Sequence, residues 1–388
     1  MHAEDTSRRT APRPPAPVAA PGTPGGGSPP HGLVVALGAY ALSRALVLGV
    51  AWLASRGTPR GWLGALTQWD GAWYTSIVAA WYPGDVAAVA GDALKANLAF
   101  FPAYPGLAAL VAALPGLGPH GAAVLVANLA GAAATAAVWW STRLRADPAV
   151  ATRAGVLFAL LPASVILSMA YAEGVMIAAA AVCLGGLLSR RWLLAGAAGA
   201  LATASRPTAA VLVACAAWQA LVAWRRDGDR RALLAPLLTA TGGVGCSAYL
   251  WARTGEPLAW TRVQTQGWGE HIDFGAETLA GLWRAVTAPN LVDVVDLLAA
   301  VVLVVGAVLL VRQRAPALVL LYCAGVVAAP LLSFTLGPRP RFVYVAFPLV
   351  VALATALRGR AFRVALAVCT VGLAVLAWLY TGTWLVTP

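Results

Sequence analysis

The stretch VVDLLAAVVLVVGAVLLVR, residues 294–312, decides the class of this protein. Between its aspartate and its terminal arginine it contains only apolar residues and glycine, and a helix needs roughly 20 such residues to cross a bilayer. The whole chain follows the same pattern, because 60% of its 388 residues are hydrophobic and 11% are charged. Soluble domains carry about 25% charged residues. The sequence therefore predicts an all-α polytopic membrane protein and excludes a soluble enzyme, a coiled coil and a secreted disulfide module.

Further apolar stretches bring the prediction to about 11 transmembrane helices. They lie at about 33–53, 121–141, 151–169, 172–189, 192–205, 208–224, 231–251, 315–334, 341–357 and 361–384. Residues 1–32 are rich in Pro, Gly, Ala and Ser and cannot bury a core, which predicts a disordered cytoplasmic tail. Residues 33–388 are expected to form a single transmembrane domain.

Arginine clusters set the orientation of these spans. If the spans alternate, the clusters fall on the same side as the N-terminal tail, and the positive-inside rule makes that side the cytoplasm. If the apolar run 98–116 crossed the membrane, the later arginine clusters would fall on the outer side. We therefore expect it to lie in the interface or to re-enter, with its prolines interrupting the helix. Two large outer loops remain, at about 54–120 and 252–293.

The net charge of +12 follows from this topology, because the basic residues form short clusters between apolar spans. Nucleic-acid binding is therefore not expected. The five cysteines lie in apolar stretches without paired spacing and the four histidines are dispersed, so neither a disulfide framework nor a metal cluster is predicted. The sequence also lacks a phosphate-binding loop, which argues against a nucleotide-driven pump.

The first outer loop carries two aromatic motifs. In QWDGAWY, residues 68–74, Asp70 suits a general base beside a sugar, since a carboxylate accepts a hydroxyl proton and aromatic rings cover the apolar face of a pyranose. An interfacial aromatic belt with one solvated acid is the alternative. FFPAYP, residues 100–105, suits the wall of a lipid-chain groove or a simple interfacial kink.

Single charges stand between apolar spans in three later motifs. MAYAE, residues 169–173, ends in Glu173, which is expensive there unless it faces a cavity, a partner or a solvated turn. SRPT, residues 205–208, and GPRPRFVY, residues 337–344, place arginines on the outer side. Their guanidinium groups can bind a phosphate through two hydrogen bonds, or extend to lipid head groups. The second outer loop contains QTQGWG, residues 264–269, which is typical of a carbohydrate-facing surface or an ordered cap.

Taken in this order, the motifs resemble those of the PIG-V-like mannosyltransferases, a branch of the GT-C glycosyltransferases, over roughly residues 34–350. The family's Trp-Asp motif is matched at 68–74 and its Phe-Phe-Pro segment at 100–105. Its Tyr-Ser-Glu motif is matched by Tyr171-Ala172-Glu173, with Ala in place of Ser. Its Thr-Arg-Pro-Thr-Gly motif is matched at 205–209, with Arg, Pro and Thr kept. PRPRF at 338–342 matches the late Pro-Arg-Tyr motif loosely, which leaves two arginines as candidates.

The resemblance implies a GT-C-type fold with interfacial helices in the first outer loop. It also implies an inverting glycosyltransferase that moves mannose from polyprenyl-phosphate-mannose to an acceptor hydroxyl, forming an α-mannoside. The composition, rich in Ala, Arg and Gly, indicates a bacterial protein, so the expected location is the plasma membrane with the site on the extracytoplasmic side. The acceptor stays open among a glycolipid, a polysaccharide and a protein.

The resemblance also assigns roles to residues. Asp70 would be the catalytic base, and Arg206 with Arg339 or Arg341 would bind the donor phosphate, so that no metal or other cofactor is required. The remaining assignments are a sugar and acceptor set, Trp69, Trp73, Tyr74, Glu173 and Trp268, and a lipid-groove set, Phe100, Phe101 and Tyr104. The alternatives are a GT-C enzyme for another lipid-linked sugar, and a transporter or flippase of such a lipid. A transporter is expected to carry midplane acids and an inverted repeat, neither of which is visible.

Overall fold

The computed structural model describes residues 31–82 and 97–388, and the chain from Gly32 to Pro388 forms one compact unit. Apart from its last two residues, the predicted tail at 1–32 lies outside the described residues. The described part consists of helices, turns and loops, with one isolated antiparallel bridge between Ile272 and Ser333. The chain is thus an all-α, multi-pass membrane protein.

Seventeen α-helices are found in the described ranges. In chain order they are α1 (His31–Ser55), α2 (Gly61–Leu66), α3 (Asp70–Ala80), α4 (Ala103–Ala112), α5 (Pro119–Arg143), α6 (Pro148–Leu160), α7 (Glu173–Leu188), α8 (Trp192–Ser205), α9 (Val211–Asp227), α10 (Leu234–Thr254), α11 (Ala259–Arg262), α12 (Ala276–Thr287), α13 (Leu291–Arg312), α14 (Ala317–Leu331), α15 (Pro340–Val345), α16 (Pro348–Ala356) and α17 (Gly359–Gly382).

Six helical segments in the described part are long and apolar enough to cross a membrane. They are His31–Ser55, Pro119–Arg143, Pro207–Asp227, Arg230–Thr254, Leu291–Arg312 and Gly359–Gly382. Each coincides with a predicted span. The other predicted spans coincide with shorter helices. Helix α4, in the run at 98–116, has 10 residues and is about 15 Å long, half the ~30 Å of a hydrocarbon core. It is too short to cross alone, and its place in the interface or as a re-entrant segment stays a prediction.

Two of the predicted spans are broken rather than continuous. The stretch 151–169 forms α6 and then a 3₁₀ helix at Pro162–Leu167. Proline disfavours the helical conformation in the residue before it, and Leu161 accordingly has an extended backbone, with φ −57° and ψ 140°. The stretch 341–357 is also broken, but at Ala346, where ψ is 52° between the end of α15 and the start of α16 at Pro348.

Small residues allow the central helices to approach closely. A Cβ atom added at Gly242 of α10 would lie 1.9 Å from the Ala200 carbonyl oxygen of α8. Glycines at such contacts let backbones pack without a side chain between them, as is common in membrane helix pairs. Helix α7 packs against both α5 and α8 and is buried along nearly its whole length. Its first residue, Glu173, therefore begins inside the bundle.

Arg44 lies inside α1 and is buried, with 5% of its surface exposed. Its guanidinium donates hydrogen bonds to the Ser164 carbonyl oxygen at 2.7 Å, the Ser164 hydroxyl at 2.9 Å and the Ser168 hydroxyl at 3.1 Å. These bonds attach α1 to the 3₁₀ helix that leads to the motif at 169–173. A buried cation is tolerated when its donors are used in this way.

Candidate active site

Four charged side chains from four separate segments form what we call the charged cluster. Asp70 begins α3, Glu173 begins α7, Arg206 connects α8 to a short 3₁₀ helix at Pro207–Ala210, and Arg341 lies in α15. Arg341 Nη1 donates a hydrogen bond to Asp70 Oδ2 and lies 3.9 Å from Glu173 Oε1. Arg206 Nη1 donates to the same Glu173 oxygen at 2.6 Å. Carboxylates and guanidiniums therefore alternate through the cluster.

The backbone before Asp70 is held in an unusual conformation. Trp69 has φ +60° and ψ −129°, and a positive φ is strained for a bulky residue. Its indole Nε1 donates to the Tyr380 carbonyl oxygen at 3.3 Å, and its ring packs edge-on against Trp384 at 4.7 Å. The side-chain amide of Gln68 donates to the same Tyr380 carbonyl. These contacts fix the turn that starts α3 at Asp70, where the helix N-terminus favours a negative charge.

Burial and charge act in opposite directions on Asp70. Burial raises the pKa of the Asp70 carboxyl, but Arg341 and then Arg206 lower it, and together they hold that pKa below its ordinary value. Asp70 is therefore ionised at neutral pH and forms an ion pair with Arg341.

The charged cluster keeps unused hydrogen-bonding capacity. Among the described residues, no partner reaches Glu173 Oε2 or Arg341 Nε, although both atoms are buried. An unsatisfied buried polar group costs about 1–3 kcal/mol, so the cluster is suited to a polar ligand that both donates and accepts. The described ranges contain no group of three or more His, Cys, Asp or Glu side chains able to hold a metal ion.

Aromatic rings adjoin the charged cluster. The Tyr74 ring lies edge-on to Phe100 at 5.0 Å and to Tyr104 at 4.9 Å. Trp268, from the second outer loop, lies 5.8 Å from Trp73 and 6.2 Å from Phe100. The structure thus brings members of the predicted sugar set and the predicted lipid-groove set into one aromatic cluster.

Three predicted residues have hydrogen-bond or ring partners outside these two clusters. Phe101 packs against Trp260 at 6.2 Å, and the Trp69 indole is occupied by Tyr380 and Trp384. Arg339 donates to the carbonyl oxygens of Thr335 at 3.3 Å and Pro388 at 3.4 Å. Of the two arginines that the late motif left open, it is Arg341 that pairs with Asp70.

Sequence reasoning missed the C-terminal segment. Tyr380, in the last turn of α17, and Trp384, just after that helix, hold the loop before Asp70, but no sequence motif surrounds them. Tyr171 lies in the motif at 169–173, but the sequence assigned it no role. In the structure its buried ring lies under the Arg341 guanidinium, 5.6 Å from centroid to Cζ. The only sequence signal for this contact was the position of Tyr171, two residues before Glu173.

No protein-family model matches the sequence, and no curated protein is similar to it. Solved structures are similar. The archaeal oligosaccharyltransferase AglB from Archaeoglobus fulgidus, in complex with an inhibitory peptide and a dolichol-phosphate, has a TM-score of 0.50 and 14% identity over 91% of this chain. The apo form of that enzyme has a TM-score of 0.50 and 12% identity over 90% of this chain.

This chain has a GT-C fold. It spans 56% of the length of the transferase to which it is similar. At this level of identity the similarity is one of fold, so the chemistry is argued from the charged cluster itself.

Proposed function

We propose that this GT-C protein is an inverting glycosyltransferase. It moves mannose from polyprenyl-phosphate-mannose to an acceptor hydroxyl and forms an α-mannoside, as a bacterial relative of the PIG-V-like mannosyltransferases. The acceptor is a glycolipid, a polysaccharide or a protein. The observation that carries the proposal is the charged cluster, in which one carboxylate and two arginines from distant segments share one site with Glu173.

The proposed reaction uses these groups as follows. The acceptor oxygen attacks C1 of the mannose from the face opposite the phosphate, and a new C1–O bond forms. The bond between C1 and the phosphate oxygen breaks, and its electron pair leaves with the polyprenyl phosphate. Asp70 takes the proton from the acceptor hydroxyl. Arg341 and Arg206 stabilise the negative charge that develops on the leaving phosphate.

The Asp70–Arg341 ion pair gives this scheme an order of events. While Arg341 is paired with Asp70, the carboxylate has a lowered pKa and is a weak base. When the donor binds, its phosphate accepts hydrogen bonds from Arg341. The attraction between Arg341 and Asp70 is then weaker. Burial then dominates, the pKa of Asp70 rises, and the carboxylate becomes a stronger base once the donor has bound.

The aromatic cluster and Glu173 supply the remaining contacts in this scheme. Glu173 Oε2 accepts a hydrogen bond from a sugar hydroxyl, while its other oxygen holds Arg206. Trp73, Tyr74 and Trp268 cover the apolar face of the mannose, and Phe100 and Tyr104 border the polyprenyl chain. The fold similarity supports a lipid-phosphate donor, since the archaeal transferase was solved with a dolichol-phosphate.

The test is mannose transfer in membranes that contain this protein. Radiolabelled polyprenyl-phosphate-mannose is the donor, and wild type is compared with Asp70→Asn at matched expression. The amide keeps the shape of the carboxylate but does not take a proton, so we expect labelled product with wild type alone. Near-normal turnover in Asp70→Asn would remove Asp70 from the mechanism.

Donor binding is measured on the same membranes. Donor binding without transfer in wild type would indicate a missing acceptor or partner. Absence of both would favour a different lipid-linked sugar or a transporter.

A further inference from the structure

A polar cavity lies beside the charged cluster. It has a volume of about 160 Å³ and lies between α12, the start of α13 and the segment 334–339. Its polar lining includes Glu277, Arg284, Asp293, Asp296, Thr335 and Arg339. Arg339 precedes Arg341 by two residues and so joins this cavity to the charged cluster.

Most polar groups of the cavity are already paired. Arg284 bonds to Glu277 at 2.7 Å and to Asp293 at 3.2 Å, and Thr335 donates to Glu270. Asp296 differs, because within residues 31–82 and 97–388 no hydrogen bond or ion pair reaches its carboxylate, although the charges of Arg339 and Asp293 act on it.

Arg339 also has donors to spare. A guanidinium carries five N–H groups, and the two hydrogen bonds of Arg339 to backbone carbonyls are long, at 3.3 and 3.4 Å. The cavity therefore offers an unused acceptor, Asp296, and an incompletely used donor, Arg339, near each other.

The charges of the residues that line the cavity indicate which class of ligand it binds. Three carboxylates and two guanidiniums give a formal charge of −1, which disfavours a phosphate, and the two guanidiniums disfavour a cation. A neutral ring with several hydroxyls donates to Asp296 and accepts from Arg339. The volume is below the roughly 300–1,000 Å³ of ordinary ligand pockets, so it admits one small ring rather than an extended chain.

Helix α12 indicates where such a ring comes from. Its polar face lines the cavity, whereas Leu279, Trp283 and Val286 form an apolar stripe, each about 70% exposed: 69%, 70% and 69%. An amphipathic helix of this kind lies in the interface of a bilayer with its apolar face among the acyl chains. We therefore expect the cavity to open at the level of the lipid head groups.

We propose that this cavity is the acceptor subsite, and that it binds the neutral, polyhydroxylated head group of a membrane lipid. The proposal rests on the proposed glycosyl transfer, because it treats the ring as the acceptor of the sugar. Asp296 holds its hydroxyls from one side and Arg339 from the other. The bound ring lies on the Arg339 side of the charged cluster, since Arg339 lines the cavity and its charge also acts on Asp70.

A labelling experiment tests binding without requiring turnover. Gly281→Cys places a thiol in the cavity wall at ordinary contact distances, since an added Cβ meets Arg284 at 3.4 Å and Asp293 at 3.7 Å. The protein is reconstituted in lipid nanodiscs with or without glucosyl diacylglycerol, whose head group is one neutral hexose. We expect the glycolipid to slow maleimide labelling of this thiol several-fold.

Two comparisons make the result specific. Ala276→Cys, at the exposed start of the same helix, is expected to label at the same rate with and without the glycolipid. Adding Asp296→Asn to Gly281→Cys is expected to remove the protection, while Asp296→Glu keeps the carboxylate and retains it. Equal slowing at both thiols, or protection that persists in Asp296→Asn, would overturn the proposal.

Methyl glucoside in solution tests whether the ring comes from a membrane lipid or from a free sugar. Equal protection by this free sugar at the same concentration would overturn the membrane-borne part of the proposal. Failure of mannose transfer leaves the labelling result interpretable. Where transfer is measurable, Asp296→Asn is expected to raise the KM for the acceptor and to leave the KM for the donor unchanged.

Discussion

Arg341 contacts both carboxylates of the charged cluster, so the charge balance of the site depends on this one side chain. Its replacement by Gln leaves Asp70 without its nearest cation and removes one of the two donors proposed for the leaving phosphate. Loss of one such group in comparable sites slows turnover by roughly 10²–10³-fold. We expect a loss of that order in Arg341→Gln, measured as mannose transfer at matched expression.

The matched control is Arg190→Gln. Arg190 forms ion pairs with Asp227 and Asp229 and is about half exposed, at 47%. Exposed ion pairs contribute little, so this variant is expected to keep wild-type transfer. Equal effects of the two substitutions would contradict the special role of Arg341.

The pH dependence of transfer follows from the same ion pair. Because the pKa of Asp70 lies below its ordinary value in the free protein, the base stays deprotonated as the pH falls, and kcat/KM is expected to decline only at a pH below about 4. Any stability that the ion pair adds is present above the unfolded pKa and is lost as the pH falls through the folded pKa. In Arg341→Gln the cation that lowers the pKa of Asp70 is lost, whereas burial still raises that pKa. The acidic limb of the profile is therefore expected to move to higher pH. A limb at the same pH in both proteins would show that Asp70 is not the group observed.

At the scale of elements, the contact between α8 and α10 makes opposite predictions for two glycines on one helix. A Cβ at Gly242 would meet the Ala200 carbonyl oxygen at 1.9 Å, whereas at Gly245 nothing lies within 4 Å. Gly242→Ala is therefore expected to destabilise the protein by about 1–3 kcal/mol through overpacking. Gly245→Ala is expected to be neutral or slightly stabilising, because alanine favours the helix. Thermal unfolding in detergent measures both.

Arg44 joins α1 to the 3₁₀ helix before Glu173. In Arg44→Leu the acceptors at Ser164 and Ser168 lose their donor, and each buried unsatisfied group costs about 1–3 kcal/mol. The unfolding midpoint of the purified protein is expected to fall clearly. Arg56→Leu, at an exposed arginine stacked on Trp52, is the control and is expected to change the midpoint little. A similar midpoint in both variants would mean that the buried bonds do not stabilise the bundle.

At the scale of the whole molecule, the predicted orientation is tested by thiol labelling in cells. Ala276→Cys lies in the predicted second outer loop, and Arg191→Cys lies in an arginine cluster predicted to be cytoplasmic. An impermeant maleimide is expected to label the first in intact cells and the second only after permeabilisation. The native cysteines give little background, since four are buried. The reverse pattern would place the charged cluster on the cytoplasmic side.

Much of the fold was predictable because membrane crossing is a local property. A run of about 20 apolar residues satisfies its backbone hydrogen bonds within one helix, so α1, α5, α13 and α17 are visible in the sequence without knowledge of their neighbours. Asp70, Glu173 and Arg206 were also singled out, because a carboxylate among aromatic rings suits a general base, an acid between apolar spans is costly without a partner, and an arginine on the outer side can bind a phosphate. The breaks before Pro162 and Pro348 were not predicted, since hydrophobicity continues across them.

The tertiary structure alone decided how these residues meet. Asp70 and Arg341 are separated by 271 positions, and no local pattern connects them. Arg339 and Arg341 were equivalent in sequence, but Arg339 has an extended backbone immediately before α15, with φ −56° and ψ 147°, whereas Arg341 lies within that helix. One therefore joins the charged cluster and the other lines the neighbouring cavity. Local hydrophobicity was enough to predict the apolar helices, because each helix satisfies its backbone hydrogen bonds within itself. The site depends on the packing of those helices, because its four charged residues come from distant parts of the chain.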